Sequence, residues 1–265
     1  MNIFLYELKS YRKSTIIWTT SLVLISVFFL SIFPVYASNA DELKSMFAMV
    51  PQEIPAAFGI DINTFFTILG FYKFVFLYVI LCASIQGMNI GLSITSKENR
   101  NKTADFLLSK PVSRVTILNG KISAVLTSLL LTNIVYTVVS TLAAIIISAE
   151  KFDITIFILI SISMFFIQIL FASLGILVGI VKDKIKNVLS ISLSVVFSFF
   201  VIDMVGSALS LDGIKYFSPF KYFDINYIIN NSSYELSFFI LWMALVIVFI
   251  SLSYFIYVKK DIHSV

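Results

Sequence analysis

The chain has 265 residues, of which 59% are hydrophobic and only 13% are charged. An average soluble domain is about 45–50% apolar and about 25% charged, so this composition leaves too few polar residues to cover a soluble surface and indicates lipid as the solvent. The formal charge of +4 does not indicate nucleic acid, because basic residues cluster between apolar runs. A single cysteine excludes intramolecular disulfides and cysteine metal clusters. The one histidine, His263, stands among the last three residues, so histidine-based metal sites and Ser-His or Cys-His catalysis lack their parts.

The first 14 residues are predicted to form an amphipathic interfacial helix. Two sets of side chains repeat with helical spacing and point to different faces. The apolar face comprises Phe4, Leu8 and Tyr11, and the basic face comprises Lys9, Arg12 and Lys13. Such a helix lies along the inner leaflet, its apolar face in membrane lipid and its basic face toward anionic headgroups. The alternatives are a disordered basic tail or the start of a secretory signal, whose apolar core would be shorter than the one here.

Six apolar runs are long enough to cross a membrane as helices of about 20 residues. They are predicted at about 15–36, 65–95, 121–149, 154–181, 187–210 and 236–258, within a single transmembrane domain of residues 1–265. The predicted fold class is therefore all-α: a polytopic membrane protein with six transmembrane helices.

Two ionisable residues, Lys73 and Asp203, interrupt the predicted spans. Charges inside membrane helices are candidate functional sites because their burial in hydrocarbon is costly. Both residues fall toward the outer ends of their helices, however. This position favours the simpler interpretation that Lys73 reaches the interface and Asp203 meets water.

Small and polar residues in the spans indicate contacts between helices. Glycines four residues apart allow two helix backbones to approach closely, and they occur as Gly87 with Gly91 and Gly175 with Gly179. Four side-chain amides either bond between helices, which is the favoured interpretation, or line a substrate path. They are Gln86, Asn89, Asn133 and Gln168.

The basic residues indicate the orientation of the chain. Five of the nineteen lysines and arginines lie on or near one side of the membrane: Lys44, Lys73, Lys151, Lys215 and Lys221. The others flank the opposite ends of the spans, which the positive-inside rule places in the cytoplasm. We therefore expect a multi-pass protein of the bacterial plasma membrane with both termini cytoplasmic.

The cytoplasmic loop between the second and third spans, 97–119, has the most distinctive pattern. Ala104, Leu107 and Leu108 have helical spacing, and Pro111 is expected to end this short helix. The helix is either a docking surface for a soluble partner or part of a solvated loop whose lysines only set the topology. The residues of the docking interpretation are Phe106, the two leucines, Glu98, Arg100, Asp105 and Arg114.

This loop resembles that of a known family. The stretch Glu98... Lys102-Thr103-Ala104-Asp105-Phe106-Leu107-Leu108-Ser109-Lys110-Pro111-Val112-Ser113-Arg114... Gly120-Lys121 is similar to the cytoplasmic loop of ABC-2 type ABC transporter permeases. The family pattern is Glu, Gly-Thr, an acid, two or three bulky apolar residues, Ser or Thr, a variable residue, Pro, Val or Ser, Arg, and later Gly-Lys. Lys102 stands where the family often has glycine.

The resemblance implies the permease subunit of an ABC transporter. It implies that a cytoplasmic coupling helix contacts a separate ABC ATPase subunit, that residues 1–14 are the connecting helix, and that two permease subunits, identical or related, form an export pathway. The coupling residues implied are Glu98, Arg100, Thr103, Asp105, Phe106, Leu107, Leu108, Pro111 and Arg114. It also implies short re-entrant helices in the outer loop at 211–235, whose residues an aromatic belt explains equally well.

ATP and Mg are expected on the partner and no cofactor on this chain. Gly120-Lys121 does not complete a P-loop, because Val115 and Ile122 occupy positions that need Gly and Ser or Thr. Two alternatives remain: a non-transporting membrane partner or immunity protein, and an ion-driven transporter.

Overall fold

The computed structural model describes residues 2–47, 49–51, 54–55, 60–62, 64–100, 112–148, 151–182, 184–209 and 212–259. Six helices in these ranges are long and apolar enough to cross a membrane. They are α1 (Ile3–Ser38), α3 (Ile68–Arg100), α4 (Arg114–Ile147), α5 (Ile154–Val181), α6 (Val188–Ala208) and α8 (Leu236–Lys259). The regular structure of the described ranges is helical throughout, which confirms the all-α polytopic fold.

Shorter helices lie at one end of the bundle. Helix α2 (Ala40–Phe47) follows α1, in a loop for which the sequence predicted no helix. The segment 212–235, here called the cap segment, contains 3₁₀ helices at Asp212–Tyr216 and Pro219–Lys221 and then α7 (Ile225–Asn231). We call this end the cap end. The opposite end, where α1 begins and α8 finishes, is called the basic end.

Polar N-cap residues set where several helices begin. The Asp153 carboxylate accepts hydrogen bonds from the backbone of Thr155 (2.8 Å) and Ile156 (3.3 Å), at the start of α5. Ser113 caps α4 and Asn187 caps α6 in the same way. These side chains satisfy backbone N–H groups that have no partner within the helix. The fourth span matches its predicted bounds for this reason.

Helix α1 differs from the prediction because the N-terminal segment is not a separate interfacial helix. It continues without a break from Ile3 to Ser38, and the first proline in it is Pro34. With no helix breaker near residue 14, the backbone hydrogen bonds continue into the span. Its 36 residues extend roughly 54 Å at 1.5 Å per residue, well beyond the roughly 30 Å of the hydrocarbon core.

The ends of α3 and α4 also extend beyond the predicted spans. Residues 97–100 belong to α3 and 114–119 belong to α4, so only 101–113 connect the two helices. The predicted loop boundaries fall at charged residues. Two of these, Lys97 and Glu98, lie within α3 and pair with residues of neighbouring helices, as described below. The predicted coupling helix lies in 101–111, outside the described residues.

Helices α3 and α5 form the centre of the bundle and have the most extensive mutual packing. A Cβ atom built on Gly87 would lie 2.5 Å from the Gln168 carbonyl oxygen, and one on Gly175 would lie 2.5 Å from that of Met88. The two predicted glycine pairs therefore face each other across a single interface. Close backbone contact of this kind is what small residues permit in membrane helices. Helices α1 and α4 pack together beside this centre, and α8 packs against α5.

Candidate functional site

A buried ion pair joins α3 to α4 at the basic end. The Lys121 ammonium is 2.5 Å from the Glu98 carboxylate and 2.5 Å from the Ile94 carbonyl oxygen, and both accept hydrogen bonds from it. Lys121 is only 1% exposed. A buried ammonium is costly unless a counter-charge and acceptors replace its water, and these two oxygens do so.

A second ion pair joins α1 to α3, and its lysine directly precedes Glu98 in the chain. Lys97 pairs with Glu7, which is only 3% exposed. The Lys97 ammonium also lies 5.5 Å from the ring centre of Tyr11, whose hydroxyl donates to Ser93 at 3.0 Å. The last two turns of α3 are thereby attached to both neighbouring helices. We call these four charged residues, Glu7, Lys97, Glu98 and Lys121, the ion-pair cluster.

Glu7 and Lys121 of this cluster were not predicted to be buried, although the sequence carries a signal for both. Glu7 falls at helical spacing between Phe4 and Tyr11 in the apolar stripe of α1. Lys121 falls in the same way between Leu118 and Ala124, both of which are buried. A charged residue inside an apolar stripe is expected to meet a counter-charge on the neighbouring element.

The predicted faces of the N-terminal segment are those that the structure displays. Its apolar residues Phe4, Leu8 and Tyr11 are half-buried, and Phe4 and Tyr11 pack on the core. The basic residues Lys9, Arg12 and Lys13 are exposed. The apolar face is thus covered at least partly by the protein's own helices rather than by lipid alone.

The predicted coupling residues fall into four groups. Glu98 turns into the bundle toward Lys121, whereas Arg100 is exposed at the end of α3. Arg114 donates to the carbonyl oxygens of Tyr257 (3.4 Å) and Val258 (3.1 Å) in the last turn of α8. The others lie outside the described residues: Thr103, Asp105, Phe106, Leu107, Leu108 and Pro111.

A buried hydrogen-bonded network crosses the middle of the bundle. Gln168 of α5 donates to the side-chain oxygen of Gln86 at 3.0 Å, and Gln86 donates to Thr132 of α4 at 3.0 Å. Asn133 donates to the Ser161 carbonyl oxygen at 3.2 Å. These three amides therefore bond between helices, as the packing interpretation predicts. Asn89 is half-buried.

The two charges inside the spans both contact the cap segment. The Lys73 ammonium donates to the side-chain oxygen of Asn226 at 2.7 Å. Asp203 accepts a hydrogen bond from Ser218 at 3.0 Å and is only 5% exposed. The expectation that Asp203 meets water was wrong, because the cap segment folds over it. Lys73 and Asp203 thus have separate partners in this segment.

The cap segment is attached to α5 by a further hydrogen bond. The Tyr234 hydroxyl donates to the Leu159 carbonyl oxygen at 2.7 Å. Burial raises the pKa of the Tyr234 phenol, so the side chain remains a neutral donor at physiological pH.

Six apolar helices with charged side chains paired at one end define a polytopic α-helical membrane protein. A family model described as "ABC-2 family transporter protein" matches residues 1–262. The chain therefore belongs to the ABC-2 family of transporter proteins. A search of curated proteins finds no match to it. Members of this family are membrane subunits that generally act with an ABC ATPase.

Proposed function

We propose that this chain is the permease subunit of an ABC exporter and that it couples to a separate ATPase subunit through the segment 101–113. The family match along residues 1–262 is the observation that carries the proposal. The position of the segment supports it, because its two ends leave the bundle from α3 and α4 beside the ion-pair cluster. Two permease subunits, identical or related, would enclose the pathway.

The proposed orientation places the basic end in the cytoplasm. Lys9, Arg12 and Lys13 are exposed there, as are Lys182 and Lys184 between α5 and α6. Cytoplasmic loops of membrane proteins carry such an excess of lysine and arginine. Both termini and the segment 101–113 are then on the side where ATP is available.

The proposed docking contacts are those of the short predicted helix. Phe106, Leu107 and Leu108 would enter an apolar groove of the ATPase, and Thr103 and Asp105 would bond at its rim, with Pro111 ending the helix. Arg100, which is exposed at the end of α3, would add a charged contact to the same interface. ATP and Mg would bind to the partner.

The proposed mechanism is a shift between two conformations of the bundle. ATP binding and hydrolysis in the partner would move the segment 101–113, and the attached helices would move with it as rigid bodies. Helices α3 and α4 are the ones that this segment joins directly. Export is the direction that the family resemblance implies.

Copurification tests the docking assignment. Tagged full-length chain, extracted from its native membrane, is expected to recover a P-loop ATPase, and Asp105→Lys is expected to abolish that recovery. Glu42→Lys is the matched control, since it makes the same charge reversal at an exposed position of α2, at the cap end. Recovery that is equal for both variants contradicts docking at Asp105.

Transport in membrane vesicles separates the proposal from its rivals. A non-transporting partner protein would show no substrate movement that depends on ATP. An ion-driven transporter would work without the ATPase and would stop when ionophores dissipate the ion gradients. The proposed subunit requires ATP hydrolysis and keeps its activity in the presence of ionophores.

A further inference from the structure

The ion-pair cluster lies where the proposed coupling segment joins the bundle. Glu98 is two residues from the end of α3, and Lys121 is two turns from the start of α4. Glu98 is 14% exposed at its side chain and Lys121 is 1% exposed, so neither side chain offers much surface to a soluble partner. Their charges are directed at each other instead.

We propose that Glu98, Lys121, Glu7 and Lys97 are positioning residues that make α1, α3 and α4 move together when the segment 101–113 moves, and that Glu98 is not an ATPase contact. This inference rests on the proposed function and identifies the residues inside this subunit that transmit the movement.

The connectivity of the cluster supports this role. The Lys121 ammonium bridges the Glu98 carboxylate and the Ile94 carbonyl, so α4 is bonded to α3 at two points one turn apart. Lys97, next to Glu98 in the chain, bonds to Glu7 of α1. A displacement of either end of the segment must therefore move all three helices or separate a buried pair of charges, which is costly.

The surroundings of the cluster make these contacts stiff. The side chain of Lys97 is only 15% exposed and lies over the rings of Tyr6 (5.3 Å) and Tyr11 (5.5 Å). A Cβ atom built on Gly120 would lie 2.9 Å from the Ile3 side chain, so the start of α1 also packs tightly on α4. Ion pairs shielded from water in this way are weakened less by solvent and salt than exposed ones.

Four variants separate transmission from stability. Glu98→Gln and Lys121→Met each leave one buried charge unpaired, whereas the double variant removes both charges. We expect thermal stability in detergent to fall in both single variants and to recover in the double variant, because loss of both members of a buried pair is often neutral. Lys121→Arg, which keeps the charge, is the conservative variant.

Activity is measured on the complex that copurifies with the tagged chain, reconstituted in liposomes. The readouts are the amount of ATPase recovered and the part of the ATP hydrolysis rate that depends on the permease. We expect the double variant to recover wild-type amounts of ATPase. Its permease-dependent rate of ATP hydrolysis should be at least five-fold lower than that of the wild type. Lys121→Arg should retain at least half of the wild-type rate. Lys184→Met, an exposed lysine of the same end, should change neither readout.

Each other outcome overturns a specific statement. If the double variant regains both stability and the permease-dependent rate, the pair is structural only and the inference is wrong. If the double variant regains stability but recovers less ATPase, Glu98 is a docking contact and the inference is again wrong, while the proposed function stands. If the wild-type chain recovers no ATPase, the proposed function fails, and this inference fails with it.

Discussion

Gly91 of α3 lies so close to Ala172 of α5 that a Cβ atom built on the glycine would be 2.2 Å from the alanine carbonyl oxygen. The atom that it would meet is backbone, so a side-chain rotation cannot relieve the contact. We expect Gly91→Ala to separate the two helices and to lower the free energy of unfolding by about 1–3 kcal/mol, the range typical of overpacked interiors. Thermal unfolding of the purified protein in detergent measures this.

Gly213→Ala is the control for that substitution. A Cβ atom built on Gly213, in the cap segment, would meet nothing within 4 Å. The same methyl group should therefore leave the melting temperature unchanged there. Equal melting temperatures for the two variants would show that α3 and α5 are not packed through Gly91.

Labelling of single cysteines tests the orientation. Cys82 is the one native cysteine, so Cys82→Ser provides a background without a thiol. In that background we expect Ser45→Cys, exposed in α2, to react with a membrane-impermeant maleimide in intact cells. Arg100→Cys, exposed at the end of α3, should react only in inside-out vesicles. The reverse pattern would place the segment 101–113 outside the cell and end the coupling proposal.

The buried tyrosine pair should contribute a measurable stabilisation. The Tyr72 hydroxyl lies 3.0 Å from that of Tyr136 and 2.8 Å from the Ser161 hydroxyl, so it links α3, α4 and α5. We expect Tyr72→Phe to cost about 0.5–1.5 kcal/mol in an unfolding titration in mixed micelles. Tyr78→Phe, at a half-buried position of the same helix, should cost less. A smaller loss for Tyr72→Phe would argue against the link.

The positions of the helices were largely predictable from the sequence. Continuous apolar runs specify membrane helices because a helix satisfies all of its backbone hydrogen-bonding groups within one segment, as the hydrocarbon core of a bilayer requires. The predicted fourth span coincides with Ile154–Val181, where Asp153 provides a local cap signal. At the cap end the sequence missed α2. At the basic end α1, α3 and α4 extend past the apolar runs, and charges on different helices pair there.

The candidate site was less predictable than the fold, for the same reason. The pattern of the loop identified Glu98 as important but could not show that its partner is Lys121, since pairing between distant residues depends on packing. The spacing of Gly87 and Gly91 likewise indicated a close helix contact without identifying α5 as the partner. Asp203 lies toward the outer end of its span, and this position suggested that its carboxylate reaches water. The sequence near Asp203 does not show that the cap segment folds over it and buries it.

Arg114 is expected to hold the end of α8 rather than an ATPase. Its guanidinium donates to the carbonyl oxygens of Tyr257 and Val258, in the last described turn of α8, where carbonyls at a helix end need partners from elsewhere. We expect Arg114→Gln to speed backbone amide exchange in the last turn of α8 several-fold, as seen by hydrogen exchange and mass spectrometry. Arg100→Gln, which removes an exposed arginine of the same end, is the control and should leave that exchange unchanged.

The contact between Asp203 and Ser218 is one of those that attach the cap segment to the bundle. The Asp203 carboxylate is buried and accepts a hydrogen bond from the Ser218 hydroxyl, with the positive charge of Lys221 nearby. Asp203→Asn keeps an acceptor for Ser218 and removes the cost of a buried charge, so we expect thermal stability to be unchanged or higher. Ser218→Ala removes a donor from a buried carboxylate and should cost about 1–3 kcal/mol.

Ser207→Ala is the matched control for the serine substitution, since the Ser207 hydroxyl donates to the Asp203 backbone carbonyl one turn earlier in α6. We expect a loss of stability smaller than that of Ser218→Ala. If Asp203→Asn proves more harmful than Ser218→Ala, the negative charge itself is needed at this position. Asp203 would then be a functional residue of the bundle, because a purely structural hydrogen bond is retained by the amide.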